Sequence, residues 1–597
     1  MHSTYTYPRY GYRRPAELDK PESVHRHPVV VVGAGPVGLA AAIDLAQRGL
    51  PVLLLDDDDT VSVGSRGLCY AKRTLEILDR LSCGQAVVDK GVTWNVGRTF
   101  HREQEVFSFN LLPEPDHRRP GMVNLQQYHL EQFLVERAQA LPGINLRWKH
   151  KVTAVTPQAQ GAVVQVETAD GSYTLHADWL VVADGARSPI RCMLGLDTEG
   201  KVFQDRFLIA DVVMKTPLFE EGKAERWFWF DPPFHPGQSV LLHREADNVW
   251  RIDFQLGWDA DPEAEKQPDR VIPRIRAMLG HVRRPQAAAS PSPPPEGAPS
   301  GRADPAPDGV AFELEWVSVY TFQCRRMQRF RHGRVLFTGD AAHQVSPFGA
   351  RGANSGVQDA DNLGWKLHLV MAGLAPDALL DSYSDERVAA ADENLMNSTR
   401  STDFMTPKSQ ASRDLRNAVL TLAREHSFAR ALVNSGRLSV PAHLTQSALN
   451  TPDEAAFDGV MQPGAPLADA PVQHHGRDDW LLQHTGQGFV LLLFVANASA
   501  LDIDLLRSLS ELARARIPVH TVLLAENAAT APALPLPLPL PEHVTLLVDH
   551  RQRAAARLDG RPGTAYLLRP DQHVAARWRR LTTAKVWAAV ARATCNA

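Results

Sequence analysis

From Pro28 the chain reads VVVV, GAGPVG, LAAAIDLAQRG and PVLLLD in direct succession. An apolar strand, a glycine turn, a helix and a second strand make a βαβ unit, with Gly49 placed to cap the helix and Pro51 to stop it. Gly33, Gly35 and Gly38 in the turn permit a tight bend and close approach of a pyrophosphate, and Asp56 ends the second strand where a ribose would offer hydroxyls. The unit therefore predicts a Rossmann-like dinucleotide site. Taken alone it does not separate FAD from NAD(P)H.

At 597 residues the chain exceeds one hydrophobic core, and roughly two to four domains are expected. A net charge of -4 gives no electrostatic reason to bind nucleic acid or an anionic membrane. No apolar run reaches the roughly 18 residues of a membrane span, and the polar start lacks the core of a secretory signal. The five cysteines (Cys69, Cys83, Cys192, Cys324, Cys595) form no CxxC pair and no metal-ligand spacing, so disulfides and zinc are not expected and the cytoplasm is. His474-His475 reads as a solvated loop pair, not a metal site.

Residues 1–27 read as a disordered tail, a targeting element being the alternative. Residues 28–200 hold the first part of the nucleotide domain, with residues 92–122 contributing to a second, β-rich domain over 201–315. In that domain ERWFWF and VWRIDFQL alternate as half-buried strands do, and Trp227, Trp229 and Trp250 either line a cavity or fill the sheet core. The Pro/Ala/Ser-rich stretch 285–309 reads as a disordered insertion. Residues 316–450 return to the nucleotide domain and a helical region, and 460–597 read as a separate α/β domain with a polyproline-like connector, LPLPLPLPEH.

Two further glycine turns follow apolar strands. DGARSPIR (Asp184–Arg191) succeeds WLVVA, and GDAAHQVSPFGARGANSGVQDADNL (Gly339–Leu363) succeeds Val335-Leu336-Phe337. The latter brings backbone close to a ligand and aims the amides of a helix start at it.

Together with GAGPVG, these segments resemble the three fingerprints of single-component (class A) flavin aromatic hydroxylases of the para-hydroxybenzoate hydroxylase fold. The terminal segment, closing on RPDQHVAARW, resembles the thioredoxin-like domain of the phenol hydroxylase and 3-(3-hydroxyphenyl)propionate hydroxylase subgroup. The resemblance implies an α/β fold with a Rossmann-like FAD domain interleaved with a β-rich substrate domain, plus that third domain. It implies an FAD-dependent monooxygenase that uses NADH or NADPH and O2, through a flavin hydroperoxide, to hydroxylate a phenolic or other small aromatic substrate. Same-fold epoxidation, Baeyer–Villiger chemistry or polyketide tailoring are the alternatives, and a non-catalytic flavin-binding protein is a remote one. The absence of a second GxGxxG agrees with a nicotinamide that binds without its own Rossmann domain. The terminal segment lacks redox cysteines, VANAS following GFVLLLF, which leaves it packing or homodimerisation.

Carried over by residue, the resemblance places Gly33, Gly35 and Gly38 at the pyrophosphate and Asp56 at the adenosine ribose. Arg66 falls near the phosphates, Gln127 beside the FAD, and Asp184 in the segment serving both FAD and NAD(P)H. Asp340 would hydrogen-bond the ribityl chain and Pro347 sit by the flavin ring, with the amides of Gly352, Ala353 and Asn354 at its pyrimidine edge. Tyr320, in EWVSVYTFQCRR, would polarise the substrate phenol, the alternative being a structural strand tyrosine. His343 reads as structural. The chain departs from the family at Gly349-Ala350-Arg351-Gly352, where Gly-Gly-Gln-Gly is common. Arg351 could neutralise reduced flavin, meet a substrate carboxylate, or face solvent. An acid found before RTLEI in phenol hydroxylase is absent here, replaced by Gly67-Leu68-Cys69.

Overall fold

The structure, a computed structural model, describes residues 4–20, 24–216, 224–287, 311–433, 438–496, 503–526 and 540–597. The strand Arg26–Val32 lies inside an eight-stranded sheet, parallel to Val52–Asp56 on one side and to Gly171–Val182 on the other. Gly171–Val182 pairs in parallel with Val335–Phe337 beyond it. SYTLHA and WLVVA are thus one twelve-residue strand, because no turn residue separates them. Its first half pairs antiparallel with Gly161–Thr168 and its second half joins the parallel core. The helices Pro36–Gln47 and Gly352–Met371 pack together, with Leu39, Ile43, Val357 and Leu363 in one core with the parallel strands.

A second eight-stranded sheet runs in the order His343–Gln344, Phe312–Arg326, Glu199–Met214, Val249–Leu256, Ser239–Arg244, Glu225–Phe230, Val96–His101, Gln104–Asn110. The last two strands come from the 92–122 stretch, whose Val96–His101 runs parallel to Glu225–Phe230. Trp227, Trp229 and Trp250 occupy the face covered by the helix Pro268–Ala287, packed with Val271, Ile275 and Leu279. They are sheet core, and the cavity reading is set aside. That helix also takes in residues 285–287 of the expected insertion, and its remainder lies outside the described residues.

The expectation of a disordered tail over 1–27 is corrected for the described part. Tyr5 stacks on Tyr128 at 4.2 Å and Tyr10 on Trp148 at 4.5 Å. Buried Glu17 accepts from Arg147 and pairs with His27, both at 3.0 Å. Tyrosines bury large rings while losing little rotamer freedom, so a polar-looking segment still docks.

The C-terminal unit is a seven-stranded sheet ordered Arg477–Trp480, Pro471–His474, Val544–Val548, Val519–Ala525, Phe489–Val495, Ala565–Leu568, Val574–Trp578. Its middle three strands are parallel. Most of the proline-rich connector, residues 534–539, and residues 497–499 of VANAS lie outside the described residues. A buried ionic cluster fastens this unit to the nucleotide unit. Arg569 donates to Glu386 at 2.6 and 3.0 Å and to Asp571 at 3.0 Å. Lys366 on the long helix donates to the same Glu386 at 2.6 Å. Arg73 reaches the Asp571 carbonyl at 2.7 Å and the Gln572 side chain at 2.9 Å. Removing one partner from such a cluster leaves a buried charge uncompensated, so Arg569→Ala is expected to lower stability by about 3–5 kcal/mol. Thermal unfolding checks this; an unchanged Tm would show that the cluster does not hold the units together.

Candidate cofactor site and the facing sheet wall

Register brings three glycine turns level. Val32 pairs with both Val182 and Leu55, and Val182 pairs with Phe337, so GAGPVG, DGARSPIR and GDAAHQ leave neighbouring strand ends side by side. Crowding there is severe. A Cβ on Gly33, at φ +104°, would lie 2.3 Å from the Ala183 carbonyl oxygen, and one on Gly38 would lie 1.9 Å from that of Gly33. Gly35 has no heavy atom within 4 Å of the same position, which leaves a bare backbone face beside the helix start.

Asp56 accepts from the Ala34 amide at 2.5 Å and the Asp58 amide at 2.8 Å. Burial nevertheless pushes its carboxyl up to about 6, Asp57 and Asp58 adding to the rise. A carboxylate has about four acceptor sites, so capacity remains for hydroxyl donors. An open glycine cradle with this acid at the next strand end fits a dinucleotide.

The second and third turns are bolted together. Arg191 donates to the carbonyls of Ala341 at 2.7 Å and Ala186 at 3.1 Å, and Gln344 donates to Ala186 at 2.6 Å. Asp184 accepts from the Ile190 amide at 3.1 Å, and burial raises its carboxyl. His343 is fully buried, 2.6 Å from Asp359, which also accepts from Gly339 at 3.0 Å and Arg387 at 2.5 Å. This is a structural station. Asp340 opens onto the cleft, yet enough protein surrounds it to raise its carboxyl. A Cβ built on Gly352 would lie 3.9 Å from its Oδ1.

Between Asp340 and the long helix, the Ala350 amide donates back to Pro347 at 3.1 Å, closing a turn through Gly349 at φ +111°. Ala350 itself holds φ +53°, a left-handed value unusual for a residue with a side chain. The Asn354 side chain accepts from Ala71 at 2.8 Å and donates to Cys69 at 2.8 Å and Ala350 at 2.5 Å, fixing the loop to its neighbour. Gly352, Ala353 and Asn354 form the first turn of the helix, so their amides have no acceptor within it. Arg351 is buried, with 3% of its surface exposed, and donates to Asn394 at 3.2 Å. The solvent-facing reading of Arg351 is therefore set aside.

Gln127 braces the loop 62–67. It accepts from Gly67 at 2.8 Å and donates to Ser62 at 3.0 Å and Glu131 at 2.7 Å. Arg66 on that loop is exposed.

Opposite stands the inner face of the second sheet, carrying Arg226, His243, Arg251, Asp253, Asp211 and Tyr320. Sequence reasoning passed over the first five, although Arg226, Arg251 and Asp253 alternate with the tryptophans of their strands; His243 and Asp211 join them by pairing with Arg251. Ser65 donates to Asp211 at 2.6 Å, and Arg251 donates to the Ser65 carbonyl at 2.5 Å and to Asp253 at 2.8 Å. Burial lifts Asp211 to about 7, while burial and the nearby Arg226 and Arg251 hold His243 well below its usual range. Arg226 is buried, with no hydrogen-bond partner at Nε or Nη1. Tyr320 is half-buried, its hydroxyl raised by desolvation first and then by the Asp340 carboxylate. The wall joins the third glycine segment directly: Arg325 and Arg326, on the Tyr320 strand, pair with Gln344 and His343, and Phe348 packs on Phe207 at 4.7 Å and Phe322 at 5.3 Å. Beside the loop, whose Gly349 carbonyl accepts from Ser439 at 2.8 Å, lies a cavity of about 950 Å³ lined in part by Phe107, Phe109, Met122, Phe404, Arg400 and Leu438.

Residues 26–398 match the FAD binding domain family, and the chain belongs to it. It is similar to 6-methylpretetramide 4-monooxygenase of Streptomyces rimosus, 30% identical over 595 residues that cover 95% of this chain and 93% of that protein. It is also similar to para-nitrophenol 4-monooxygenase of Pseudomonas sp. (strain WBC-3), 29% identical and covering 60% of this chain and 82% of that one. The flavin-dependent monooxygenase PieE, solved with FAD and substrate, shares the fold at a TM-score of 0.74 and 21% identity, covering 96% of this chain and 99% of that one. The chain is an FAD-dependent aromatic monooxygenase.

An alanine at left-handed φ is strained by roughly 1–2 kcal/mol, against about 0.5–1 kcal/mol for the extra chain entropy that glycine loses. Ala350→Gly should raise stability by up to about 1 kcal/mol, and Ala350→Val should lower it. A lower Tm for the glycine variant would contradict strain at this turn.

Proposed function

We propose that the enzyme hydroxylates a phenolic ring held between the wall bearing Tyr320 and the loop Pro347–Arg351, with NADH or NADPH as reductant and O2 as oxidant. The carrying observation is the alignment of three glycine turns at neighbouring strand ends, with the strand that bears Tyr320 pairing onto the third of them. Bound FAD would supply the reductive activation of O2 for transfer of one oxygen atom.

The protein's own part follows from its groups. Gly33, Gly35 and Gly38 admit the pyrophosphate, Asp56 takes the ribose hydroxyls, and exposed Arg66 can reach the phosphates. Gln127 acts through the 62–67 loop rather than by direct contact, because its amide is already engaged. Asp184 keeps the second turn in place, and Asp340 accepts from the ribityl chain. Pro347 borders the ring, while the amides of Gly352, Ala353 and Asn354 and the buried Arg351 favour negative charge beside them. A raised hydroxyl pKa keeps Tyr320 protonated near neutral pH, so it donates a hydrogen bond to the substrate oxygen and is no base. Arg226, a buried cation, offers a counter-charge for a phenolate.

The cavity of about 950 Å³ beside the loop, lined by Phe107, Phe109 and Met122 and not by Tyr320 or residues 347–351, would take further rings that extend beyond the wall. Along with the full-length similarity to 6-methylpretetramide 4-monooxygenase, this supports a multi-ring phenol as well as a single-ring one. The C-terminal sheet supports a thioredoxin-like reading in its three parallel strands flanked by antiparallel ones. Dithiol chemistry is ruled out, since Cys595 is the sole cysteine of residues 460–597. We assign that unit a packing or homodimer role, in a cytoplasmic protein. No helix among the described residues is long and apolar enough to cross a membrane.

The test is a panel of phenols and aromatic acids offered to the FAD-loaded protein. Stimulated NAD(P)H consumption with a hydroxylated product supports the proposal; a protein that takes up no FAD, or never couples oxidation to product, overturns it. Asp340→Ala should lower FAD retention several-fold. Tyr320→Phe should keep its FAD yet cut the coupled rate at least about tenfold. Unchanged flavin content in the first variant, or an unchanged coupled rate in the second, removes the corresponding role.

A further inference from the structure

Away from the flavin site, the edge of the C-terminal sheet gathers histidines that the chemistry above does not use. The hairpin Pro471–His474 and Arg477–Trp480 pairs Val472 with Asp479 and His474 with Arg477. Directly opposed residues share a face, as do alternate residues of one strand, so His474 and Asp479 project on the same side. His475 and Gly476 form the two-residue turn at φ +49° and +72°, the left-handed pair that holds this register. After Trp480 the chain makes one 3-10 turn, Leu481–His484, whose buried leucines anchor it and return His484 over the same face.

We propose that His474, Asp479 and His484 bind one divalent transition-metal ion of the zinc type. One ligand atom from each lies within 4.8 Å of the others, and the His484 Nε2 is 3.0 Å from Asp479. The rings of His474 and His484 meet edge to face at 4.8 Å between centroids. Around a zinc-type ion, ligand atoms bonded at about 2.0–2.2 Å lie closer together than this, so the three side chains would draw together on binding. Two imidazoles and one carboxylate suit Zn2+, Ni2+ or Cu2+, whereas Ca2+ and Mg2+ take oxygen ligands. All three residues are half-buried, which leaves a fourth position for water. The carboxylate is oriented from outside, since Asp479 accepts from the Trp480 amide at 2.8 Å and Gln483 can donate to it while accepting from Arg118. The ion would join the edge hairpin to the following turn, a structural role rather than a catalytic one.

The rival reading is a plain surface ion pair between His484 and Asp479, and a titration separates the two. FAD-loaded full-length protein is freed of metal with a chelator, then titrated with Zn2+ by calorimetry and by thermal unfolding. One Zn2+ should bind per chain and raise Tm. His474→Gln, Asp479→Asn and His484→Gln should each weaken binding at least about tenfold and abolish the Tm increase, while FAD content, as the check of folding, stays unchanged. His475→Gln should bind as the parent does. No saturable uptake, or uptake that survives all three substitutions, overturns the site.

Discussion

The candidate site depends on how closely three strand ends approach one another. Gly33 lies so near the Ala183 carbonyl that a methyl group would collide, and Gly38 repeats this against Gly33. Val37 then wedges between the third turn and the long helix, with Cβ positions on Gly339 and Gly356 only 3.0 and 2.5 Å from its methyl carbon. Side-chain bulk at any of these glycines would spread the strand ends and move the helix start. The same helix carries Trp365 into the core of the C-terminal unit and Lys366 into the buried ionic cluster. One rigid element therefore runs from the cofactor loop to the third sheet.

Charge placement follows from that frame. The helix start offers unpaired amides, Arg351 lies buried behind them, and Asp359 is saturated by His343, Arg387 and the Gly339 amide. Across the cleft, the second sheet buries both of its faces. One is apolar and covered by a helix; the other sets Arg226, Arg251, Asp253 and Asp211 beside an aromatic patch of Phe207, Phe228 and Phe322. Buried cations and acids are tolerated where they hydrogen-bond one another, as Arg251 does with Asp253, and are conspicuous where they do not, as at Arg226. A water-poor wall of this kind strengthens each dipole aimed at a reacting ring.

The βαβ unit was legible because strand, glycine turn, helix and terminal acid follow in register along the chain. Alternation in VWRIDFQL revealed two faces but not which would meet the cleft. That assignment needs the helix Pro268–Ala287 and Ser65, both remote in sequence. The N-terminal segment misled because its composition is polar, while its docking comes from three tyrosines that meet Tyr128, Trp148 and His150. Arg351 looked able to face solvent because its surroundings come from Asn394, more than forty residues away. The pair His474-His475 looked isolated for a similar reason, since a hairpin and a short turn are needed to bring Asp479 and His484 beside it.

The most direct test of the central claim is the origin of the oxygen in the product. FAD-loaded enzyme, NAD(P)H and a phenol that stimulates turnover are incubated under 18O2, and the product is analysed by mass spectrometry. The account predicts one 18O atom in a new ring hydroxyl for each NAD(P)H used in coupled turnover. A hydroxyl that carries oxygen from water, or oxidation that yields only hydrogen peroxide with every ring offered, would contradict it.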